Sequence, residues 1–216
     1  KSGEERLGNQ DIADRSKLPK STVSRLTYTL TTLGYQHQVE RTGRYRLGTA
    51  TLALGGATLS RLDVKDLGRP LMQALATDIG ALVALGMRDE MTMLYIEACR
   101  GNSMVTLRLD VGSRLPIATR AIGRAYLAAA PTRVREELED RLRSLYPAAW
   151  PLIEKSIRQA MDDLAAHGCV CSFGDWHPDI NAIAVPLVFD NELPLMALNA
   201  ASPVQTMSSE ILMNEV

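Results

Sequence analysis

The sequence predicts an α+β fold in two parts, a short basic unit at the N-terminus and a larger, mildly acidic unit behind it. Three observations support this division. Residues 1–47 read as two short helices followed by an arginine-rich hairpin. Residues 48–66 are mostly small and apolar, as in a connecting helix. Residues 67–216 alternate between helical and strand-like patterns without the regular repetition of a parallel β/α sheet.

The N-terminal pattern is a helix, a break and a second helix, over Asn9 to Tyr35. Pro19 disfavours a helical conformation at Leu18 and restarts the chain with a preset φ. The second helix then opens at Lys20 or Ser21, and Ser21 can serve as its N-cap. Two short helices joined by a tight turn predict a helix-turn-helix, which presents its second helix to DNA.

The two faces of the second helix differ in character. Residues three and four positions apart predict one apolar stripe, formed by Val23, Leu26, Leu30 and Leu33. The other side is basic and rich in hydroxyl groups, which suits phosphate and base-edge contacts in a major groove. We therefore predict that DNA is contacted by Lys20, Ser21, Thr22, Ser24, Arg25 and Tyr28. The spacing by itself also fits an ordinary amphipathic hairpin with a solvated face.

A basic hairpin follows the second helix. Tyr35 to Leu47 alternates in polarity and turns at Thr42–Gly43, which predicts two short antiparallel strands. Behind a recognition helix, such a hairpin is a wing that reaches the phosphate backbone or the minor groove, here through Arg41, Arg44 and Arg46. Residues 1–47 are thus predicted to form a winged helix-turn-helix domain that binds double-stranded DNA.

Charge is divided unevenly along the chain. Residues 1–50 contain nine Lys and Arg against five Asp and Glu, a net charge of +4, whereas the whole chain carries −1. Residues 51–216 therefore carry −5. A basic N-terminal segment followed by an acidic remainder is expected of a protein with a DNA-binding domain and a second domain of different function.

Composition narrows the class of protein further. Three cysteines in 216 residues argue against a disulfide framework and predict a reducing, cytoplasmic environment. No apolar run is long enough to span a membrane, and we expect no signal peptide. The chain starts at Lys1 without Met, inside what looks like a first helix. We therefore expect that an N-terminal segment is missing and that this helix is incomplete.

Residues 48–66 are predicted to form a linker helix, with leucines spaced for one face and a Gly55–Gly56 pair that weakens its middle. This helix either packs against a copy of itself or is a plain core helix. Behind it we predict helices at 67–79, 120–130, 132–145 and 150–167. Strands are predicted at 82–88, 92–98, 104–109, 169–173, 182–189 and 193–200. Helices and strands mixed in this way predict one α+β sheet domain over residues 67–216.

The chain resembles transcriptional regulators of the IclR family. The resemblance is carried by IADRSKLPKSTVSRLTYTLTTLGY, GRYRLG, LPIATRAIGRAYLAA and NAIAVPLVFDNELPLMALNAASP, which run in family order over nearly the whole chain. It implies a winged helix-turn-helix, a linker helix and a GAF-like effector-binding domain, and we expect no cofactor. It also implies homodimers or homotetramers that bind palindromic operator DNA and respond to a small organic acid.

The resemblance further implies an effector pocket between the helix after Pro116 and the later strands. Arg120–Arg124 stands where the family has a Thr-Ala-x-Gly-Lys pattern, and the free N–H groups at that helix N-terminus suit a carboxylate. Ala and Asn replace the Cys or Ser of many members, which predicts a roomier pocket and a larger, aromatic carboxylate. The predicted effector-binding residues, each of which also fits plain sheet core, are Ala121, Ile122, Gly123, Ile180, Ala182, Asn199, Ala201 and, in a loop near the pocket mouth, Asp175.

One cluster of residues suggests an alternative function. His, Cys and Asp crowd into thirteen positions, at His167, Cys169, Cys171, Asp175, His177 and Asp179. These are zinc-ligand types, so a metal-responsive DNA-binding regulator that uses His167, Cys169, Cys171 and His177 is the alternative. The cysteine spacing is not that of a Cys-x2-Cys site, and free cysteines are often small buried hydrophobes. We therefore assign no metal ligands.

Two other classes of protein are less well supported by the sequence. A cysteine nucleophile with His167 or His177 is conceivable, but nothing fixes a base, an orienting group and an oxyanion site together, so we predict no enzyme and no catalytic residues. A dimerisation or scaffold protein without DNA binding is the last alternative. Such a protein would lack the steep salt dependence of a DNA reader.

Overall fold

The computed structural model of the chain describes residues 6–59, 63–102, 107–175, 177–189 and 193–206, except for the side chains of 58–59 and 63–66. By its internal contacts the chain forms two compact units, Lys1–Asp63 and Val64–Val216. The expectation of an incomplete helix at the chain start concerns residues 1–5, which lie outside the described residues. Within the described part, no helix combines the length and apolar character needed to cross a membrane.

The N-terminal unit contains the predicted helix, break, helix and hairpin, followed by a third helix. Its elements are α1 (Asn9–Ser16), α2 (Lys20–Thr32), β1 (Gln36–Val39), β2 (Arg44–Leu47) and α3 (Thr49–Leu59). The strands pair antiparallel with Val39 opposite Arg44, and Gly43 adopts a left-handed φ of 64° in the connecting turn. The prediction of a helix-turn-helix with a hairpin behind it is therefore confirmed.

The buried face of α2 is not the predicted leucine stripe. Only Val23 of that stripe is buried, whereas Leu26, Leu30 and Leu33 are 49%, 41% and 59% exposed. Thr27 is buried instead, because its hydroxyl donates to the Val23 carbonyl at 2.9 Å and to Asn9 Oδ1 at 3.1 Å. A threonine whose hydroxyl is satisfied in this way packs as a small apolar side chain.

The start of α2 also differs from one prediction. The helix begins at Lys20, as expected, but Pro19 takes the N-cap position, and Ser21 lies inside the first turn. No side chain caps this end of the helix. The other end follows the expected pattern, with Gly34 at a left-handed φ of 76° directly after the cap residue Leu33.

The linker region contains two helices. Helix α3 ends at Leu59, and α4 begins at Asp63 and runs to Ile79, four residues earlier than the predicted start at Leu67. In α3, Leu52 is 78% exposed and Leu54 is 59% exposed. These exposures do not fit the alternative of a plain core helix.

Over its described residues, the C-terminal unit is a six-stranded antiparallel sheet with helices, as the predicted α+β class requires. Besides α4, its elements are β3 (Leu82–Asp89), β4 (Thr92–Arg100), β5 (Arg114–Pro116), α5 (Ala121–Ala129), α6 (Thr132–Leu145), α7 (Trp150–His167), β6 (Val170–Phe173), β7 (Ile180–Leu187) and β8 (Met196–Pro203). The strand order is β5-β4-β3-β8-β7-β6.

One predicted strand of this unit is wrong where the structure describes it, and one observed strand was not predicted. Residues 107–109 of the predicted strand at 104–109 have no strand structure, and residues 104–106 lie outside the described part of the chain. The short strand β5 was not predicted, because three residues are too few for an alternating pattern to show. The predicted helices at 132–145 and 150–167 have the observed bounds.

A bulge in β4 places the side chains of Tyr95 and Glu97 on opposite faces of the sheet. Leu85 pairs with Glu97 and Gly86 pairs with Tyr95, so Ile96 is an extra residue on β4. Tyr95 and Glu97 would share a face in a regular strand, but the extra residue turns Glu97 to the side of α4. There its buried carboxylate accepts from Arg69 at 2.6 Å and from the Ala98 N–H at 3.0 Å.

Helix α5 is the centre of the C-terminal core. All residues from Ala121 to Leu127 are buried, as expected for a helix that contacts the sheet on one side and α7 on another. The helix lies very close to the segment before it. A Cβ atom at Gly123 would stand 2.1 Å from the Ile117 carbonyl oxygen, a distance that no side chain tolerates.

We therefore expect Gly123→Ala to destabilise the C-terminal unit by about 1–3 kcal/mol or more, because the methyl group would displace backbone. Gly68→Ala, in α4, is the matched control, since the added Cβ meets only the Met72 sulfur at 4.0 Å. That substitution should be neutral or stabilising by about 0.5–1 kcal/mol. Urea unfolding followed by circular dichroism measures both, and equal midpoints for the two variants would contradict the close approach.

Candidate DNA interface and effector cavity

The polar side of α2 and the wing present a basic surface. All nine residues that the sequence nominates for DNA contact are exposed, namely Lys20, Ser21, Thr22, Ser24, Arg25, Tyr28, Arg41, Arg44 and Arg46. Tyr28 is the most open of the aromatic residues here, at 74% exposure. The surface thus combines cations, hydroxyls and one exposed ring, the groups that contact phosphates and base edges.

The N-terminus of α2 keeps its backbone donors available. Pro19 at the N-cap has no side-chain acceptor, and no side-chain cap bond forms at this end. The first N–H groups of a helix lack partners within the helix, and together with the helix dipole they favour an anion. Lys20 stands at this end and adds a full positive charge.

Arg44 has a structural partner as well as an exposed position. Its guanidinium donates to the Arg6 carbonyl at 2.8 Å and lies 3.9 Å from the Asp11 carboxylate. These contacts hold strand β2 beside helix α1. Arg44 therefore fixes the wing in place, a role that the sequence did not predict, while Arg46 occupies the register position opposite His37.

A small cavity lies in the C-terminal unit between α5 and the sheet. Its volume is about 30 Å³, and it is lined by Tyr95, Leu107, Leu109, Leu115, Arg120, Ala121, Ile122, Ser172, Ile180, Ala182, Asn199 and Ala201. Six of the eight predicted effector-binding residues are among them. No Asp or Glu occurs among these lining residues.

Arg120 makes this cavity cationic. It occupies the N-cap position of α5, and burial lowers the pKa of its guanidinium to about 10, so it remains charged at neutral pH. Tyr95 lies within electrostatic reach of it and donates a hydrogen bond to Asn199 Oδ1 at 3.0 Å. Burial also raises the pKa of Tyr95 to about 12, so the phenol stays neutral. A partly buried cation in a cavity whose lining residues include no Asp or Glu favours an anionic ligand.

Two predicted effector residues lie elsewhere. Gly123 is absent from the cavity lining and makes the close helix approach described above. Asp175 accepts a hydrogen bond from Arg124 at 2.8 Å and lines a different, larger groove. Its ion pair with a buried arginine explains its position better than a place at the cavity mouth.

The cavity is also smaller than predicted. A volume of about 30 Å³ corresponds to about two water molecules, too little for an aromatic ring. Small residues at 182 and 201 do leave space, but the long side chains of Tyr95 and Arg120 take it up. Neither was among the predicted effector-binding residues, although Tyr95 follows the alternation of strand β4 and Arg120 is the first residue of the predicted helix.

The His/Cys/Asp cluster does not assemble into a metal site. No group of three or more potential ligands comes together in the part of the chain that the structure describes. Desolvation, with Cys169 as a further cause, raises the pKa of Cys171 to about 12, which opposes the thiolate that a metal ligand must supply. His177 faces Asp179, with Nδ1 3.6 Å from the carboxylate.

Family profiles cover nearly the whole chain. The profile described as "Bacterial transcriptional regulator IclR C-terminal" matches residues 56–215, and the profile "IclR helix-turn-helix domain" matches residues 1–40. Among characterised relatives, the HTH-type transcriptional regulator TsaQ1/TsaQ2 of Comamonas testosteroni is 33% identical over 85% of this chain and 67% of its own length.

Solved structures share the fold. An IclR family transcriptional regulator from Brucella abortus has a TM-score of 0.91 and 40% identity, over 100% of this chain and 81% of that one. An IclR homolog from Microbacterium hydrocarbonoxydans, complexed with 4-hydroxybenzoate, has a TM-score of 0.72 at 24% identity, over 95% of this chain and 85% of that one. The likeness extends through both units of the chain.

The raised pKa of Cys171 gives a pH-dependent prediction. At pH 8 only about one thiol in ten thousand is a thiolate, so iodoacetamide should leave Cys171 unmodified while added glutathione reacts. Modification should become appreciable only near pH 11. Peptide-resolved mass spectrometry measures this, and prompt alkylation of Cys171 at pH 8 would contradict its raised pKa.

Proposed function

Because this chain belongs to the IclR family of bacterial transcriptional regulators, we propose that a small organic acid in the cavity beside Arg120 modulates its binding to operator DNA. The relatives are regulators of transcription, not enzymes. The observation that carries the effector half of the proposal is the desolvated Arg120 guanidinium, in a cavity whose described walls contain no acidic side chain.

The DNA half of the proposal rests on the N-terminal unit. Helix α2 enters the major groove with its exposed polar side, where Lys20 supplies phosphate charge and Arg25 pairs with phosphate or bidentately with guanine. The uncapped first turn of α2 adds backbone donors for a phosphate. Arg41 and Arg46 contact the backbone or the minor groove, while Arg44 keeps the wing beside α1.

The effector half assigns roles to the charged and apolar groups that line the cavity. The effector carboxylate accepts from Arg120, and the uncapped N-terminus of α5 adds a favourable dipole. Leu107, Ile122 and Ile180 provide apolar walls that suit a ring better than a hydrated two- or three-carbon acid. A ring exceeds the present volume, so its entry opens the cavity by moving the long side chains that fill it.

An aromatic acid is the effector class that we favour. The Microbacterium hydrocarbonoxydans homolog is complexed with 4-hydroxybenzoate, which combines a carboxylate with a flat apolar ring. That protein shares only 24% identity with this chain, so its ligand serves as a probe rather than an assignment. Tyr95 and Asn199 supply neutral hydrogen-bonding groups for a ring substituent.

We further propose that the working form is a homodimer or homotetramer in the cytoplasm. The exposed leucines of α3, Leu52 and Leu54, offer apolar surface for association with a second copy. Two recognition helices held in this way read the two halves of a palindromic operator. The three cysteines are free thiols, which suits a reducing compartment.

Arg25→Ala should weaken operator binding about 5- to 150-fold, equivalent to about 1–3 kcal/mol, because it removes a base or phosphate contact. Fluorescence anisotropy with labelled duplex DNA from upstream of the protein's own gene measures the effect. Arg133→Ala is the control, since Arg133 is an exposed arginine on α6. Unchanged affinity of the Arg25 variant would falsify its assignment to the interface.

Arg120→Gln should weaken acid binding strongly, because it replaces the cavity cation with a shorter, neutral amide. Thermal shift with 4-hydroxybenzoate, and with neutral 4-hydroxybenzamide as control ligand, tests this, since a ligand of the folded state raises the melting temperature. We expect the acid alone to stabilise the wild type, and at least tenfold weaker binding by the variant. Equal responses to acid and amide would contradict a role for charge.

Calorimetry with benzoate, 4-hydroxybenzoate, glyoxylate and pyruvate decides the size of the effector. Preference for the aromatic acids supports an opening cavity. Tight binding of glyoxylate or pyruvate, with none of the aromatic acids, would refute the aromatic proposal and leave Arg120 as the anchor of a smaller acid.

A further inference from the structure

A second cavity in the C-terminal unit, larger than the effector cavity, lies apart from it. It is a groove of about 690 Å³ between the segment before α5, the end of α6 and the first half of α7. This volume is in the range of pockets that hold drug-sized ligands. None of the residues that line the small cavity also lines this groove.

The groove is apolar toward one end and polar toward the other. The apolar part is formed by Met91, Leu142, Tyr146, Ala149, Leu152 and Ile153. Farther along α7 the lining changes to Lys155, Ser156 and Gln159, beside Arg124 and Asp175. From Leu152 to Gln159 the helix advances about 10 Å, so the groove suits an elongated molecule.

Arg124 lies at the polar end and is only 4% exposed. It donates to the Cys171 carbonyl at 3.1 Å and to the Asp175 carboxylate at 2.8 Å. Its Nε is buried and has no hydrogen-bond partner among the described residues. A buried guanidinium with a spare donor, held by a half-exposed carboxylate, is an anion site that a side chain of the protein occupies in part.

We propose that this groove binds an elongated apolar anion, a medium-chain carboxylate, as a second ligand site distinct from the effector cavity. The chain lies along Leu142, Tyr146, Leu152 and Ile153. The carboxylate takes the place of Asp175 on Arg124 and is also attracted by Lys155. Two cations against one acid give this end a net positive charge, complementary to the ligand head group.

Isothermal titration calorimetry with decanoate in its submicellar range tests the site, with 1-decanol as the neutral probe of the same length. The wild type should bind decanoate and bind decanol more weakly. Asp175→Asn should tighten decanoate binding about three- to tenfold, because it removes the competing charge and frees Arg124. Lys155→Gln should weaken binding about two- to fivefold, as expected for one partly exposed ion pair.

Two matched variants keep the test independent of folding and of the effector cavity. Arg158→Gln changes an exposed arginine of α7 outside the groove lining and should leave decanoate binding unchanged. Arg120→Gln should also leave it unchanged, because Arg120 lines only the small cavity.

Four results would overturn the proposal. They are absence of decanoate binding, equal binding of decanol, an Asp175→Asn variant that binds no tighter, and loss of binding in Arg120→Gln, which would place decanoate in the effector cavity. A second copy of this chain is the other candidate occupant. In that case Leu152→Asp would lower the sedimentation coefficient and decanoate would not bind the wild type.

Discussion

Helix α5 reaches its position only because residue 123 has no side chain. The backbone of α5 lies against the Ile117 carbonyl at a distance that excludes a Cβ atom, and this contact seats the helix deep between the sheet and α7. The two cavities described above depend on this position of α5, because the helix supplies an arginine to each. Arg120, at the start of the helix, lines the small cavity, and Arg124, one turn later, lines the groove beside α7.

The N-terminal unit shows what periodicity can and cannot determine. The order of helices, the break at Pro19 and the hairpin turn at Gly43 follow from local backbone preferences, so the sequence predicts them. The choice of the buried face does not follow from spacing, because α2 has two candidate faces. The face with Thr27 is buried because its hydroxyl donates to the Val23 carbonyl and to Asn9 Oδ1. The contact with Asn9 forms only when α1 packs against α2, so the spacing of residues in α2 does not show it.

The cavity beside Arg120 was predictable in outline and not in size or charge. Family order placed Ala121, Ile122, Ile180, Ala182, Asn199 and Ala201 around one cavity. It missed Tyr95 because strand pairing, not sequence proximity, brings β4 beside the other walls. Asp175 was misplaced because a loop residue is positioned by its partner, and Arg124 is fifty-one residues away.

The extra residue at Ile96 constrains how this strand can change over evolution. Because the bulge places Tyr95 and Glu97 on opposite faces, regular pairing with Ile96 retained would turn every residue after Tyr95 to the other face of the sheet. The Glu97 carboxylate would then point to the face of Tyr95, and Ile96 would stand opposite Leu85 in its place. Loss of the bulge is therefore tolerable only together with the loss of one residue, and descendants of this chain are expected to keep the bulge or to delete one residue with it.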